Sequence, residues 1–505
     1  MGRGTKRRKN TGGGSGEDKQ TQTGGFFIQP GNNLIILIAL FILGLALRIF
    51  ELGRKPLWLD EASSYFLTSQ ANIADVWTAA FNDHHAPLHF IVLWIVKLAG
   101  TDEFWLRLPS AIAGALTIIV VFLLAKELAG EETALIAAAL VAVSPYHILY
   151  SQEARMYGMA VLFVSLAVYL FFLAIRTRSL YDWILFGGAC AVAFYTHFYT
   201  SFAILALFLS YGIIRWKEFG VGRKEGDSGF RWFKVPQDFR QFLCGAVVAG
   251  ILVLPILGSF FNQSGYFVSR TFNWGLSMGN IPTQTFSMFS YYSDLVALIF
   301  FVLMIVALGM VWHKDRQRMI ALVVIMFVPM LISMYLSQII PFNVRYHLYL
   351  IVVFLSLVAM PLAWIGQKVH RKYGTLAIIA VILLGSIVPL SAYYTEPLQE
   401  DWRTLSRNLN QITQPGDIIA PLPWYMVQPL SYYYHNETDA TLYTNFPLNE
   451  SGFRTLNNRT GTVYFVVTWD ITAADPSGYS VQYLNGHAGP TTASVPGIYV
   501  LKKIG

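Results

Sequence analysis

Apolar runs of about 17 to 25 residues recur from Asn33 to Ala392 with only short polar gaps between them, and each is long enough to cross roughly 30 Å of hydrocarbon. That repeated length makes the chain an α-helical polytopic membrane protein. Composition agrees: 13% of residues are charged and 55% hydrophobic, with a mean hydropathy of +0.48, against roughly 25% charged in soluble domains. After Tyr393 the long runs stop. Residues 393–505 are rich in Asn, Thr, Pro and Gly, "TVYFVVTW" reads as a strand, and "EDWRTLSRNLNQITQPGDIIAP" reads as a helix, a Pro-Gly-Asp turn and a strand. A small soluble α/β domain is expected there.

Both cysteines, Cys190 and Cys244, fall in apolar segments, which leaves the soluble part without a disulfide framework or a cysteine metal site. The net charge of +7 comes largely from "RGTKRRK" and from short loops between helices, a distribution that fits membrane topology and not a nucleic-acid partner. Residues 1–32 are expected to be a disordered basic cytoplasmic tail, and Asn33 to Phe50 a retained first helix.

A cytoplasmic N-terminus sends the end of the first helix to the outer face. Counting every later run as a crossing then places Arg176, Arg178 and the loop Arg215 to Arg240 outside, against the positive-inside bias. The segment "APLHFIVLWIVKLAG" resolves the conflict: it has about 15 residues, is interrupted by His89 and Lys97, and is too short for a comfortable span. Read as re-entrant or interfacial, it leaves about eleven crossings, at 33–50, 109–126, 133–150, 156–175, 180–196, 198–215, 241–261, 293–312, 318–336, 346–366 and 375–392. Lys126, "HKDRQR" and "QKVHRK" then also lie inside. The soluble domain and the sequons at Asn262, Asn436, Asn449 and Asn458 lie outside, which predicts a multi-pass plasma-membrane protein with an extracytoplasmic site.

The outer face gathers the residues able to carry chemistry. Asp60 and Glu61, flanked by Trp58, Tyr65 and Phe66, put a paired acid at the lipid boundary, where one carboxylate can serve as a general base and the other can orient substrate, bind a metal or cap a helix. "NDHHAPLHF" adds His84, His85 and His89; His85 and His89 stand four apart, a spacing open to a divalent metal, to hydrogen bonding of an anion or to packing. "YSQEARMYG" brings Glu153, Arg155 and Tyr157, and "IIPFNVRYH" brings Arg345 and Tyr346. Arginine at an interface holds lipid-linked phosphate through its planar fork. Arg270, His197 and Tyr199 share the face. A carboxylate that deprotonates a hydroxyl while arginines stabilise a leaving phosphate makes one coherent reaction. No Gly-rich nucleotide loop accompanies it. The alternative is a transporter or flippase of lipid-linked saccharides, which calls for repeated halves and ionisable groups near the midplane.

The order of the acidic pair after the first helix, "DHHAPLHF", "RLPSAIAG", "YSQEARMYG" and a late "RY" resembles the GT-C glycosyltransferases of the protein O-mannosyltransferase and aminoarabinose transferase type. The resemblance covers mainly Pro56 to Tyr157. It implies a GT-C fold, a polyprenyl-phosphate sugar donor, a glycan, lipid or protein acceptor, and inversion at the anomeric carbon. It also implies Asp60 as catalytic base, Glu61 as an acceptor-positioning or supporting carboxylate, contributions from Glu153 and Arg155, and phosphate contacts from Arg345 and Tyr346. Ala86 stands where the family usually has a first proline, and relatives differ over a metal, so a divalent cation is the only cofactor in question.

Overall fold

The computed structural model describes residues 1–2, 30–223, 231–268, 275–398, 400–435, 437–444, 447–457 and 460–504. The tail at 3–29, Arg270 and the sequons at Asn436 and Asn458 lie outside them.

All eleven apolar segments are helical. They form α1 (Pro30–Ile49) and, after three short helices α2 (Leu59–Leu67), α3 (Ile73–Asn82) and α4 (Leu88–Val96), the long α5 (Glu103–Ala129). Next come α6 (Glu131–Ala142) and α7 (Pro145–Ser151), then α8 (Tyr157–Thr177), α9 (Leu180–Thr196) and α10 (Thr200–Arg215). A hairpin of β1 (Gly220–Arg223) and β2 (Arg231–Lys234) precedes α11 (Phe239–Val253), α12 (Leu257–Val268) and α13 (Asn280–Phe289). The set closes with α14 (Asp294–Lys314), α15 (Arg316–Leu336), α16 (Ile351–Val369), α17 (Gly374–Gly385) and α18 (Ile387–Thr395).

Among the described residues, seven helical stretches are long and apolar enough to cross a membrane, and the pair α6–α7, bent by 60°, makes an eighth. Asn33–Ile49 and Leu180–Thr196 are apolar but shorter, and α10 has 16 residues, about 24 Å at 1.5 Å per residue. Of the eleven apolar segments, seven or eight therefore meet the length of a full span among the described residues. The interfacial reading of Ala86 to Gly100 agrees with α4, whose nine residues reach only about 14 Å.

Helix α6 is buried on every side from Thr133 to Ala142, as a helix apolar all round must be. It packs against α5, α16, α1 and α17 in the main core. The bend after α6 is held by Arg48, a charge buried in α1 that donates to Val141 O at 3.0 Å and Ala142 O at 3.1 Å and lies 2.7 Å from His147 Nδ1. A cation at a helix C-terminus meets the negative end of its dipole. The bend turns α7 and the following residues 152–156 back toward the end of α1, where Gln152 Nε2 donates to Arg48 O at 3.1 Å and Phe50 O at 2.8 Å.

The C-terminal region carries a five-stranded mixed sheet of β3 (Ile418–Leu422), β4 (Thr441–Leu442), β5 (Val463–Thr468), β6 (Ala488–Pro490) and β7 (Ile498–Lys503), in the order β4-β3-β5-β7-β6. Strand β3 runs parallel to β4 and β5, and β7 antiparallel to β5 and β6. Both β3 and β5 are buried throughout, because Trp402, Leu405 and Leu409 cover one face and Phe453, Leu456 and Tyr483 the other. The helix and strand read in "EDWRTLSRNLNQITQPGDIIAP" are Trp402–Ile412 and β3.

Candidate active site

Arg107, in the "RLPS" of α5, shapes the loop that carries the acidic pair. Its Nη1 donates to Leu52 O at 2.9 Å and Lys55 O at 2.7 Å, and its Nη2 to Pro56 O at 3.0 Å. Nε and Nη2 meet the two carboxylate oxygens of Glu61 at 2.8 and 2.6 Å. All five guanidinium hydrogens thus find acceptors. Glu61 is fully buried, reaches back to the Trp58 N–H at 3.4 Å and accepts from the Ala154 N–H at 2.7 Å. Glu61, expected as an acceptor-positioning or supporting carboxylate, thus has both oxygens engaged by Arg107 and by backbone amides. Successive residues on a helix point about 100° apart, so Asp60 and Glu61 at the start of α2 face different surroundings.

Asp60 faces a cavity of about 390 Å³ lined also by His84, His85, Arg155, Tyr157, His197, Arg345 and Tyr346. Eight sequence-predicted residues from five separate stretches therefore meet. Arg345 comes from a 3₁₀ turn, Val344–Leu350, at the start of α16, and its Nη2 lies 3.1 Å from Asp60 Oδ2. The guanidinium stands 5.3 Å from the Trp58 ring centre, 5.4 Å from that of Tyr157 and 5.8 Å from that of Tyr346, an aromatic cage favourable to a cation. Arg155 Nη1 donates to Asp60 O at 3.0 Å and Ser64 Oγ at 3.1 Å, and its Nη2 lies 3.4 Å from His85 Nε2. The Nε of each arginine is buried without a hydrogen-bond partner.

The histidines divide by role. His85 Nδ1 lies 2.9 Å from Asp83 Oδ2, so an Nδ1–H tautomer turns Nε2 toward Arg155 as an acceptor. His84, with φ at 60°, stands 3.2 Å through Nδ1 from the Asn262 amide. His197 Nδ1 accepts from the Tyr199 N–H at 3.1 Å; burial, with His85, Arg155 and Arg345 nearby, depresses it to about 3, leaving a neutral ring with an Nε2–H donor. Tyr199, which lines the same cavity, lies 4.7 Å from Tyr346 ring to ring.

His89 and Glu153 do not join this cavity. His89 is fully buried and donates through Nε2 to Ala154 O at 3.0 Å. Burial, followed by the charge of Arg155, pushes it down to about 3. It pegs the turn at residues 152–156 from beneath and does not touch substrate space. The spacing of His85 and His89 therefore does not make a metal pair, and among the described residues no group of three or more His, Cys, Asp or Glu is placed to hold a metal ion. Glu153 lines a second cavity of about 210 Å³ together with Trp58 and Arg107. Its Oε2 is buried without a partner, and burial with the neighbouring Glu61 charge pushes its carboxyl up to about 8.

Sequence reasoning missed the C-terminal clamp on the same loop. Arg403 donates to Gly53 O at 2.7 Å and Arg54 O at 2.9 Å and meets Glu103 at 2.7 Å. Tyr433 Oη accepts from the Leu57 N–H at 2.7 Å and donates to Glu103 Oε1 at 2.5 Å. The signal for Arg107 was present in the sequence as a cation among Trp105, Leu106 and Leu108 at the start of an apolar run, where a charge needs a partner.

Fold and site together define a multi-pass membrane protein with a cavity, at one end of its helical bundle, lined by Arg155, Arg345 and the carboxylates of Asp60 and Asp83. Residues 84–220 match the family model for dolichyl-phosphate-mannose-protein mannosyltransferase. Among solved structures, ArnT from Cupriavidus metallidurans, both apo and bound to undecaprenyl phosphate, superposes with a TM-score of 0.58 at 11% identity, covering 94% of this chain and 98% of that one. The Archaeoglobus fulgidus oligosaccharyltransferase tethered with an acceptor peptide gives a TM-score of 0.53 at 13% identity over 94% of this chain and 74% of that one. No curated protein matches the sequence. The GT-C fold expected from the sequence is the fold of the chain.

Two outcomes follow from this geometry. Arg107→Met leaves Glu61 buried without its counter-charge, and thermal unfolding in detergent is expected to show a loss of about 3–5 kcal/mol; a loss under about 1 kcal/mol would contradict the anchoring role. Glu153 binds its proton more tightly folded, at about 8, than unfolded, at about 4.3. Stability from this group is full below about 4.3 and is lost as pH rises toward 8, at up to about 1.4 kcal/mol per pH unit. Melting curves across that window are expected to fall more steeply for wild type than for Glu153→Gln, and equal slopes would contradict the buried-acid reading.

Proposed function

We propose that this chain is an integral membrane glycosyltransferase that moves a sugar from a polyprenyl-phosphate donor to an acceptor hydroxyl on the outer face of the membrane, with inversion at the anomeric carbon. The observation that carries the reading is the Asp60 carboxylate at 3.1 Å from Arg345, in one cavity with Arg155. The family match over residues 84–220, and a fold shared with a protein whose structure was solved bound to undecaprenyl phosphate, support it.

A phosphate entering this cavity meets two guanidinium groups, and the free Nε of each supplies a further donor. When phosphate engages Arg345, that arginine no longer has to neutralise Asp60, and the carboxylate becomes available as a base. Asp60 then takes the proton of the acceptor hydroxyl as its oxygen bonds to the anomeric carbon. The bond from that carbon to the phosphate oxygen breaks, and its electron pair leaves with the phosphate, where Arg345 and Arg155 stabilise the charge. His85, turned by Asp83, and the neutral Nε2–H of His197 add orientation at the cavity wall. Approach of the hydroxyl opposite the departing phosphate gives inversion. The positive-inside bias of the basic tail and basic loops supports a cytoplasmic opposite end of the bundle, with this cavity and the C-terminal sheet facing outward.

Reconstituted protein with a polyprenyl-phosphate sugar tests both roles. Asp60→Asn is expected to lower transfer by about 10²–10⁴-fold while retaining polyprenyl-phosphate binding, and Arg345→Ala to weaken that binding by about tenfold or more. Wild-type turnover in the first variant would remove Asp60 from the base role. Undiminished binding in the second would remove Arg345 from the phosphate site.

A further inference from the structure

The second cavity is a separate space beside the first. It is bounded by the loop from α1 to α2, the turn at residues 152–156 and the segment leaving α18, which supplies Tyr393, Tyr394 and Glu396. Its cations are already paired: Arg54 with Glu51 at 2.8 Å, Lys55 with Glu396 at 3.4 Å and Arg107 with Glu61 at 2.6 Å. Glu153, whose carboxyl holds its proton at neutral pH, adds no charge. The lining is therefore electrically balanced, unlike the cavity at Arg155 and Arg345.

Two polar atoms of lining residues are buried without partners, Trp58 Nε1 and Glu153 Oε2. A buried polar group left unpaired costs about 1–3 kcal/mol, so these two are sites where an occupant's hydrogen bonds count most. An indole N–H donates only, whereas a protonated carboxyl donates and accepts; a hydroxyl, which also does both, satisfies the pair. Trp58 and Tyr393 are aromatic residues of the same lining, with Lys55 Nζ 4.6 Å from the Tyr393 ring centre. A volume of about 210 Å³ equals roughly seven waters at about 30 Å³ each, room for one sugar ring. Trp58 lines the second cavity and Arg345 lines the first, with the guanidinium 5.3 Å from the Trp58 ring centre, and Glu153 feels the charges of both Asp60 and Arg345.

We infer that this second cavity is the acceptor subsite, that it takes an uncharged, hydroxyl-bearing sugar ring, and that Trp58 Nε1 and Glu153 Oε2 orient the ring by hydrogen bonds. The inference rests on the glycosyltransferase reading and adds to it the class of acceptor. Phosphate goes to the arginine side, and the neutral ring goes to the balanced side. An acceptor ring bearing phosphate or carboxylate finds no unpaired cation here.

Saturation-transfer NMR on the full-length protein in nanodiscs tests this, with undecaprenyl phosphate saturating so that the first cavity is filled. Methyl α-mannopyranoside is the neutral probe and mannose 6-phosphate the anionic one. The neutral probe is expected to bind about tenfold or more tightly than the anionic one. Trp58→Phe and Glu153→Ala are each expected to weaken it about fivefold to tenfold, while Glu153→Gln, which keeps a donor and an acceptor, retains most of the affinity. Equal or tighter binding of mannose 6-phosphate overturns the inference. So does absence of methyl mannoside binding up to its solubility, or binding indifferent to all three substitutions. Failure of wild type to bind undecaprenyl phosphate is a separate result: it counts against the donor reading, and the methyl mannoside titration without that lipid still decides the second cavity.

Discussion

The ion pair between Glu61 and Arg107 is the interaction on which the site depends. A buried arginine is tolerable only when each donor is met, and Arg107 is met by three carbonyls of the loop at residues 52–56 and by both oxygens of Glu61. Glu61 in turn holds the Ala154 N–H. One charge pair thus fixes the α1–α2 loop, the start of α2 and the turn that carries Glu153 and Arg155. Asp60 owes its direction to the anchoring of its neighbour.

The same loop is clamped from above and below. Arg403 and Tyr433 of the C-terminal region bind its carbonyl and amide groups at Gly53, Arg54 and Leu57. Gln152 and Tyr394 take up carbonyls at the end of α1. The sheet region is therefore more than an appendage, because its contacts bear on the segment between α1 and Asp60. Tyr393, Tyr394 and Glu396, just before that region, complete the wall of the second cavity.

Much of this was legible in the sequence because hydropathy and charge bias act over long stretches. The apolar runs predicted all the long helices, and the length of the segment at Ala86, with its His89 and Lys97, marked it as too short to span, in keeping with the nine residues of α4. The gathering of Asp60, Arg155, Arg345 and the tyrosines into one cavity followed from putting their loops at one end of the bundle. What the sequence did not show was side-chain direction. Nothing in "LDEA" says which acid turns inward, since that depends on Arg107 arriving 46 residues later. For the same reason His89, Glu153 and Arg48 could be seen as polar residues near apolar runs, but their partners lie across the bundle.

The chain uses one pairing, acid with arginine, for opposite ends, and burial decides which. Glu61 and Arg107 have side chains 0% and 4% exposed, with every arginine hydrogen in use, so neither can exchange its partner for a substrate. Asp60 and Arg345 are 24% and 15% exposed, share one contact, and keep an unused Nε on the arginine and open space before both. Screening and incomplete hydrogen bonding make such a pair weak enough to part. An anion that out-competes Asp60 for Arg345 then separates the pair and exposes the carboxylate in the same step. On the proposed reading Asp60 stays paired until a phosphate binds, a coupling that requires no moving element beyond two side chains.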